Sequence, residues 1–290
     1  MNIISIILII KTNTTMKMKK NLMTILLTGT FFVSSMFAGQ YAMAKDEALK
    51  SKEITYTVGN QNFKGYIAWK EDGKAVKPGI LVVHEWWGLN DYAKMRADML
   101  ADLGYVAMAV DMFGDGKVYE TATEAQNAAG YIFSHPDLLK ERITKAYDIL
   151  TSQDNVDKQH IGAVGYCFGG TVALNAAAMG LPLDVVASFH GGLTGFKASE
   201  MMKNTKVLIC NGAADAFVPQ ADIDNFKSEM AKYNIVYEFK NYEGATHAFT
   251  NKYSTEAGKK FNMPIAYNEA ADKASWQDMI SFFAKYFPAK

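Results

Sequence analysis

The stretch Ile161-Gly162-Ala163-Val164-Gly165-Tyr166-Cys167-Phe168-Gly169-Gly170-Thr171-Val172-Ala173-Leu174-Asn175-Ala176-Ala177-Ala178 decides how this chain is read. Its first six residues are short, apolar and bounded by turn residues, which predicts a buried parallel strand. Its last eight are small and favour a helix. Cys167 therefore falls on a strand-to-helix turn, with Gly165, Gly169 and Gly170 around it. Glycines at these spacings let the two backbones approach, and the lack of a Cβ at Gly169 avoids a clash across the bend, so the cysteine side chain is forced outward. At the start of the following helix, unpaired N–H groups and the positive end of the macrodipole favour the thiolate, which is the reactive form. The competing reading is a buried cysteine at a tight glycine turn.

Outward from this unit the chain alternates. Glu53 to Val58 and Phe63 to Trp69 alternate polar and apolar around Gly59-Asn60, a hairpin signal. Gly79 to His84 reads as a buried strand, and further strands are predicted at Tyr105 to Val110, Val185 to His190, Lys206 to Asn211 and Ile235 to Phe239. Helices are predicted at Asp91 to Leu103, Thr123 to Phe133, Pro136 to Ser152, Gln220 to Tyr233 and Ala266 to Phe287. Strands alternating with helices imply an α/β fold: one domain with a mostly parallel central sheet, helices on both faces and an N-terminal antiparallel hairpin. Ligands of such sheets sit beyond the carboxyl ends of the strands.

A thiol nucleophile needs a base for its proton and a third group to orient that base. Asp215 follows the strand ending at Asn211, and His247 follows the last strand, so both fall on the same sheet edge as Cys167. Taken alone, Asp215 reads as a capping or turn aspartate; the joint placement favours a catalytic set. Acyl transfer also needs donors for the developing oxyanion, and the backbone N–H groups of Phe168 and Trp86 are the candidates. Glu85 lies beside them, where a carboxylate is costly next to a thiolate unless it takes the thiol proton or pairs elsewhere. His84 and His190 lack the further Cys/His ligands that a metal site needs, so no metal and no cofactor are expected.

Four segments together resemble the dienelactone hydrolase family of α/β-hydrolases. They are the His-Glu-x-x-Gly loop at His84, the Gly-x-Cys-x-Gly-Gly elbow at Gly165, Asp215 before Phe217-Val218-Pro219, and Thr246-His247-Ala248-Phe249. The likeness covers about Ile54 to Phe287, and the order nucleophile, acid, histidine is that of α/β-hydrolases. The resemblance implies a Cys167–His247–Asp215 triad, Glu85 helping to deprotonate Cys167 when substrate arrives, and a thioester acyl-enzyme formed from a small ester or lactone. In the family, arginines hold the substrate carboxylate, one of them four residues after the histidine, where this chain has Asn251. The chain's two arginines, Arg96 and Arg142, fall on predicted helices away from the loop edge. Lys117 or Lys252 would offer only a point charge. Trp86, Trp87, Phe168, Phe217, Phe249 and Tyr253 suggest an apolar pocket, with Trp87, Lys117, Phe217 and Phe249 as candidate substrate contacts. A general carboxylesterase or thioesterase is the enzymatic alternative; a redox-sensing or binding protein is the non-enzymatic one.

The first 44 of the 290 residues hold four of the 30 basic side chains and none of the 30 acidic ones. From Met18 they read Lys19-Lys20, an apolar run from Leu22 to Phe37, then Ala42-Met43-Ala44. This is the pattern of a secretory signal cut after Ala44, leaving residues 45–290 as the folded domain. Residues 1–15 fit such a signal poorly, which suggests that translation starts at Met16 or Met18. A periplasmic or secreted protein is therefore expected, without a membrane anchor after cleavage. The remaining chain is mildly acidic, which argues against nucleic acid as a partner. A monomer acting on a small molecule is expected. Cys167 and Cys210 are the two cysteines, too few for a disulfide scaffold, and Cys210 in Val207-Leu208-Ile209-Cys210 reads as a packed strand residue.

Overall fold

The computed structural model describes residues 48–71, 73 and 76–287, so the expected leader and its cut lie outside the described residues. Strands β1 (Leu49–Val58) and β2 (Gln61–Lys70) form the antiparallel hairpin, turning at Gly59, whose φ of 55° suits glycine. The hairpin joins the sheet through an antiparallel pairing of β2 with β4 (Val106–Val110). Parallel pairings then link β4 to β3 (Lys77–Val83), β5 (Val156–Tyr166), β6 (Val185–Phe189), β7 (Lys206–Gly212) and β8 (Tyr237–Tyr242). The strand order is β1-β2-β4-β3-β5-β6-β7-β8.

The central strands β3 and β4 are buried along their full length because helices cover both faces. Side chains alternate across the pleat: Leu81 and Val83 enter one apolar layer, Ile80 and Val82 the other. The first layer is closed by α2 (Ala122–Ser134), α3 (Pro136–Thr151), α4 (Phe168–Ala178) and α5 (Gln220–Lys232). The second is closed by α1 (Asp91–Asp102), through Tyr92, Ala97 and Leu100, and by α7 (Glu269–Tyr286), through Met279 and Phe282.

Several boundaries differ from the sequence expectation, and β5 begins at Val156 rather than Ile161. β8 runs from Tyr237 to Tyr242 rather than from Ile235, because its partners are Val207 to Gly212 of β7. The last helix begins at Glu269 instead of Ala266, where the Asn268 side chain accepts the Ala271 N–H at 3.1 Å. A further helix, α6 (Ser254–Phe261), was not expected. It lies within a long connection tied at its base by a bridge between His247 and Ile265.

Candidate active site

β5 ends at Tyr166 and α4 begins at Phe168, so Cys167 alone makes the bend, with φ 53° and ψ −116°. A non-glycine residue in that region costs about 1–3 kcal/mol and persists only where its surroundings over-determine it. Here they do. The Cys167 N–H is shared between the Phe189 carbonyl at 2.9 Å and His190 Nδ1 at 3.1 Å, while the Cys167 carbonyl accepts the Gly170 N–H at 3.0 Å. A Cβ on Gly165 would lie 2.0 Å from the Gly169 carbonyl oxygen, and one on Gly169 would lie 2.1 Å from that of Val83. Gly169 is therefore required by the approach of α4 to the end of β3, rather than by a clash across the bend.

The loops after β7 and β8 bring Asp215 and His247 to the same edge. His247 Nδ1 donates to Asp215 Oδ2 at 2.8 Å, and His247 Nε2 lies 3.0 Å from Cys167 Sγ. The other oxygen of Asp215 accepts the Phe217 N–H at 2.8 Å, which fixes the carboxylate plane. Burial works against charge on His247, but the Cys167 sulfur and the Asp215 carboxylate outweigh it and push the imidazole up to about 10. The Phe168 amide is the first in α4 and so has no acceptor within the helix.

Glu85, two residues beyond β3, is buried, and its Oε2 accepts the Asn251 Nδ2–H at 2.6 Å. The carboxylate at this position thus pairs elsewhere, as its cost required, with a neutral amide in place of a cation. Burial raises its pKa to about 6, opposed by the Asn251 hydrogen bond and by the charges of His247 and Arg96.

A second chain of hydrogen bonds, not legible in the sequence, ties the elbow to the histidine loop. His190 is held neutral because burial, then His247 and Arg96, drive its pKa far down. Its Nδ1 accepts from Cys167, so its Nε2–H donates to Thr250 Oγ1 at 2.7 Å. Thr250 Oγ1 and the Tyr92 hydroxyl share a bond of 2.5 Å, and Arg96 donates to the Tyr92 hydroxyl at 3.3 Å and to the Thr250 carbonyl at 2.7 Å. An Arg96–Asp272 ion pair at 2.6 Å anchors the far end on α7. His84 also has both ring nitrogens engaged: Nδ1–H donates to the Glu85 carbonyl at 2.5 Å, and Nε2 accepts the Met112 N–H at 3.2 Å. Among the described residues no group of three or more His, Cys, Asp or Glu is arranged to hold a metal ion.

Residues 63–287 match the family model described as the dienelactone hydrolase family. The chain belongs to this family. A solved structure described as a dienelactone hydrolase-like promiscuous phosphotriesterase from metagenomic libraries is 31% identical, with a TM-score of 0.77, covering 82% of this chain and 99% of that one. A Methylorubrum extorquens protein provisionally named a carboxymethylenebutenolidase is 25% identical over 94% of this chain and 94% of its own length. An Aquifex aeolicus protein with the same provisional name is 28% identical over 77% of this chain and 93% of its own. As a dienelactone hydrolase family member, the protein is a hydrolase acting on ester bonds in small molecules.

A cavity of about 700 Å³ opens beside Cys167 in this family member. Trp86, Trp87 and Phe261 form one wall, with ring centroids 5.1 Å apart for the tryptophans and 5.5 Å from Trp87 to Phe261. Phe217 and Tyr253 line the cavity and are exposed. Two expected substrate contacts fall elsewhere. Phe249 is fully buried, packed between His190 and Tyr242 in the core. Lys117 is exposed and outside the lining, where its neighbour Val118 contributes instead, because Val118 bridges to Gly88 of the tryptophan loop. Lys252 is likewise not a lining residue.

Both arginines lie on helices, as expected, but each is buried against a loop at the carboxyl edge of the sheet rather than away from it, and neither lines the cavity. Arg142 donates to the Met112 carbonyl at 2.6 Å and to Gln61 at 2.9 Å. Cys167 and Cys210 are free thiols. β6 lies between their strands, and two strand spacings are roughly 9–10 Å, beyond the Cα separation a disulfide spans. Among the described residues, no helix is long and apolar enough to cross a membrane.

Proposed function

We propose that this ester hydrolase works through Cys167 as nucleophile and a thioester acyl-enzyme. The reading rests on one observation: the continuous chain Asp215 Oδ2 to His247 Nδ1 at 2.8 Å and His247 Nε2 to Cys167 Sγ at 3.0 Å. Asp215 holds the imidazole with Nδ1–H toward itself and Nε2 toward sulfur. The sulfur attacks the ester carbonyl, and the Phe168 and Trp86 N–H groups stabilise the oxyanion. His247 delivers a proton to the leaving alcohol or enol and then takes one from the water that hydrolyses the thioester. Glu85, buried beside the site, is the second acceptor for the thiol proton when the substrate displaces it from His247.

The substrate is a small ester or lactone. The protein is exported after cleavage behind Ala44 and acts as a monomer in the periplasm or outside the cell. N-terminal sequencing of the mature protein tests the cut, and a chain beginning before Lys45 would refute it.

The nucleophile is tested with a chromogenic short-chain ester. Cys167→Ala is expected to lower kcat by about 10³-fold or more, in line with removal of a member of such a triad. Wild-type protein quenched in acid should carry the acyl mass on the peptide containing Cys167. An unchanged rate in the variant would remove the mechanism.

A further inference from the structure

The charges that face the cavity bear on which esters it admits. Glu85, Asp91, Glu120 and Glu256 line it, the last of them paired with Lys259 at 2.8 Å, against a single lining lysine, Lys260. That lysine is exposed and rests on the wall, its Nζ 4.8 Å from the Phe261 ring centroid, so its charge is shared between the ring face and solvent. His247 is bonded to Asp215 on one side and set against the Cys167 sulfur on the other. Asn251 commits one of its two amide hydrogens to Glu85. Arg96 is fixed to the Thr250 carbonyl and Asp272, and Arg142 to the Met112 carbonyl and Gln61, so neither guanidinium turns inward.

Building on the ester-hydrolase reading, we propose that the cavity selects uncharged esters bearing a bulky aromatic or aliphatic group and rejects esters that carry a carboxylate. A carboxylate entering here would give up part of its hydration and gain no buried, unpaired cation in return. It would also approach the buried Glu85, where like-charge repulsion is little screened, and the exposed Asp91, Glu120 and Glu256, whose repulsion is weakened by solvent and salt. An uncharged ring meets the opposite situation. Trp86, Trp87 and Phe261 offer an edge-and-face surface that gains from burying apolar area. The volume of about 700 Å³ lies in the range of drug-sized ligand sites and far exceeds what a bicarbonate-sized or acetyl group would fill. The selectivity therefore falls on charge first and bulk second.

The test compares two matched esters with the wild-type protein: 4-nitrophenyl 5-phenylpentanoate and the same ester with a para-carboxylate on the phenyl ring. At low ionic strength kcat/KM is expected to favour the neutral ester at least tenfold. The ratio should narrow in about 0.5 M salt, because the discrimination is electrostatic. A Glu120→Gln/Glu256→Gln variant should narrow it about threefold at low salt. Equal or better hydrolysis of the carboxylate ester at low salt would overturn the proposal. Binding of the corresponding unreactive ketones, followed by quenching of Trp86 and Trp87 fluorescence, gives the charge preference without turnover. If neither ester is hydrolysed, the ester-hydrolase reading of the site fails, while the ketone pair still decides whether the cavity prefers the neutral ligand.

Discussion

The elbow at Cys167 and the connection from Ala248 to Tyr267 border the same cavity but are held in place by different means. The elbow is a local object: one strained residue, glycines packed against backbone, and amide bonds to the adjacent strand. The connection is a long-range object. Thr250 is bonded to His190 and Tyr92, Asn251 to Glu85, and the base is closed by the His247–Ile265 bridge. The elbow fixes where the sulfur sits; the connection fixes where the imidazole meets it and what surrounds the substrate. A rigid nucleophile can therefore be combined with a pocket wall whose chemistry varies independently.

Breaking the local side should have the largest effect. Gly169→Ala places a methyl 2.1 Å from the Val83 carbonyl, a backbone contact that cannot swing away. We expect a loss of about 3 kcal/mol or more in urea unfolding, with activity falling alongside. Retained stability would mean that α4 can shift off β3.

Next comes the link between the two regions. Thr250→Val keeps the shape but leaves the His190 Nε2–H and the Tyr92 hydroxyl short of a buried partner. The expected cost is about 2 kcal/mol, with kcat reduced more than KM is raised, because the His247 loop loosens relative to the sulfur. Equal stability and unchanged kcat would show that the elbow and the loop are positioned independently.

An effect of similar size, confined to a narrow pH window, lies in the titration of Glu85. Burial raises the Glu85 pKa from 4.5 to about 6, so the folded protein binds this proton more tightly than the unfolded chain. Stability should accordingly fall as pH rises from 4.5 through 6, by about 2 kcal/mol from this group, and level off above. Glu85→Gln should remove that step from unfolding curves recorded between pH 4 and 8. The same substitution should remove an acidic limb near pH 6 from kcat/KM if Glu85 accepts the thiol proton.

Much of the fold was legible because it follows from period and punctuation. The apolar runs of β3 to β7 are buried on both faces, and the loops after β5, β7 and the half-buried β8 place Cys167, Asp215 and His247 at one edge whatever the details of packing. α6 was not legible for a specific reason. Its sequence Ser-Thr-Glu-Ala-Gly-Lys-Lys-Phe is only eight residues long, carries just Ala257 and Phe261 as apolar residues on one face, and Gly258 reads as a helix breaker. Gly258 is there because the helix lies against the returning backbone, where a Cβ would be 2.4 Å from the Ile265 carbonyl oxygen. Phe249 misled in the opposite direction. Next to His247 in sequence it looks like a pocket residue, yet Ala248 at φ 57° turns the backbone and Phe249 packs into the core.

The layered α/β sheet, the outward cysteine and the family can be read from the chain alone, because they depend on short-range patterns of apolar residues and glycine. Folding is needed to reveal that Asn251 partners Glu85, that His190 and Thr250 join the elbow to the histidine loop, and that carboxylates outnumber the single lysine facing the cavity. Those pairings connect residues up to 166 positions apart, and no local period encodes which distant side chains a folded loop will meet.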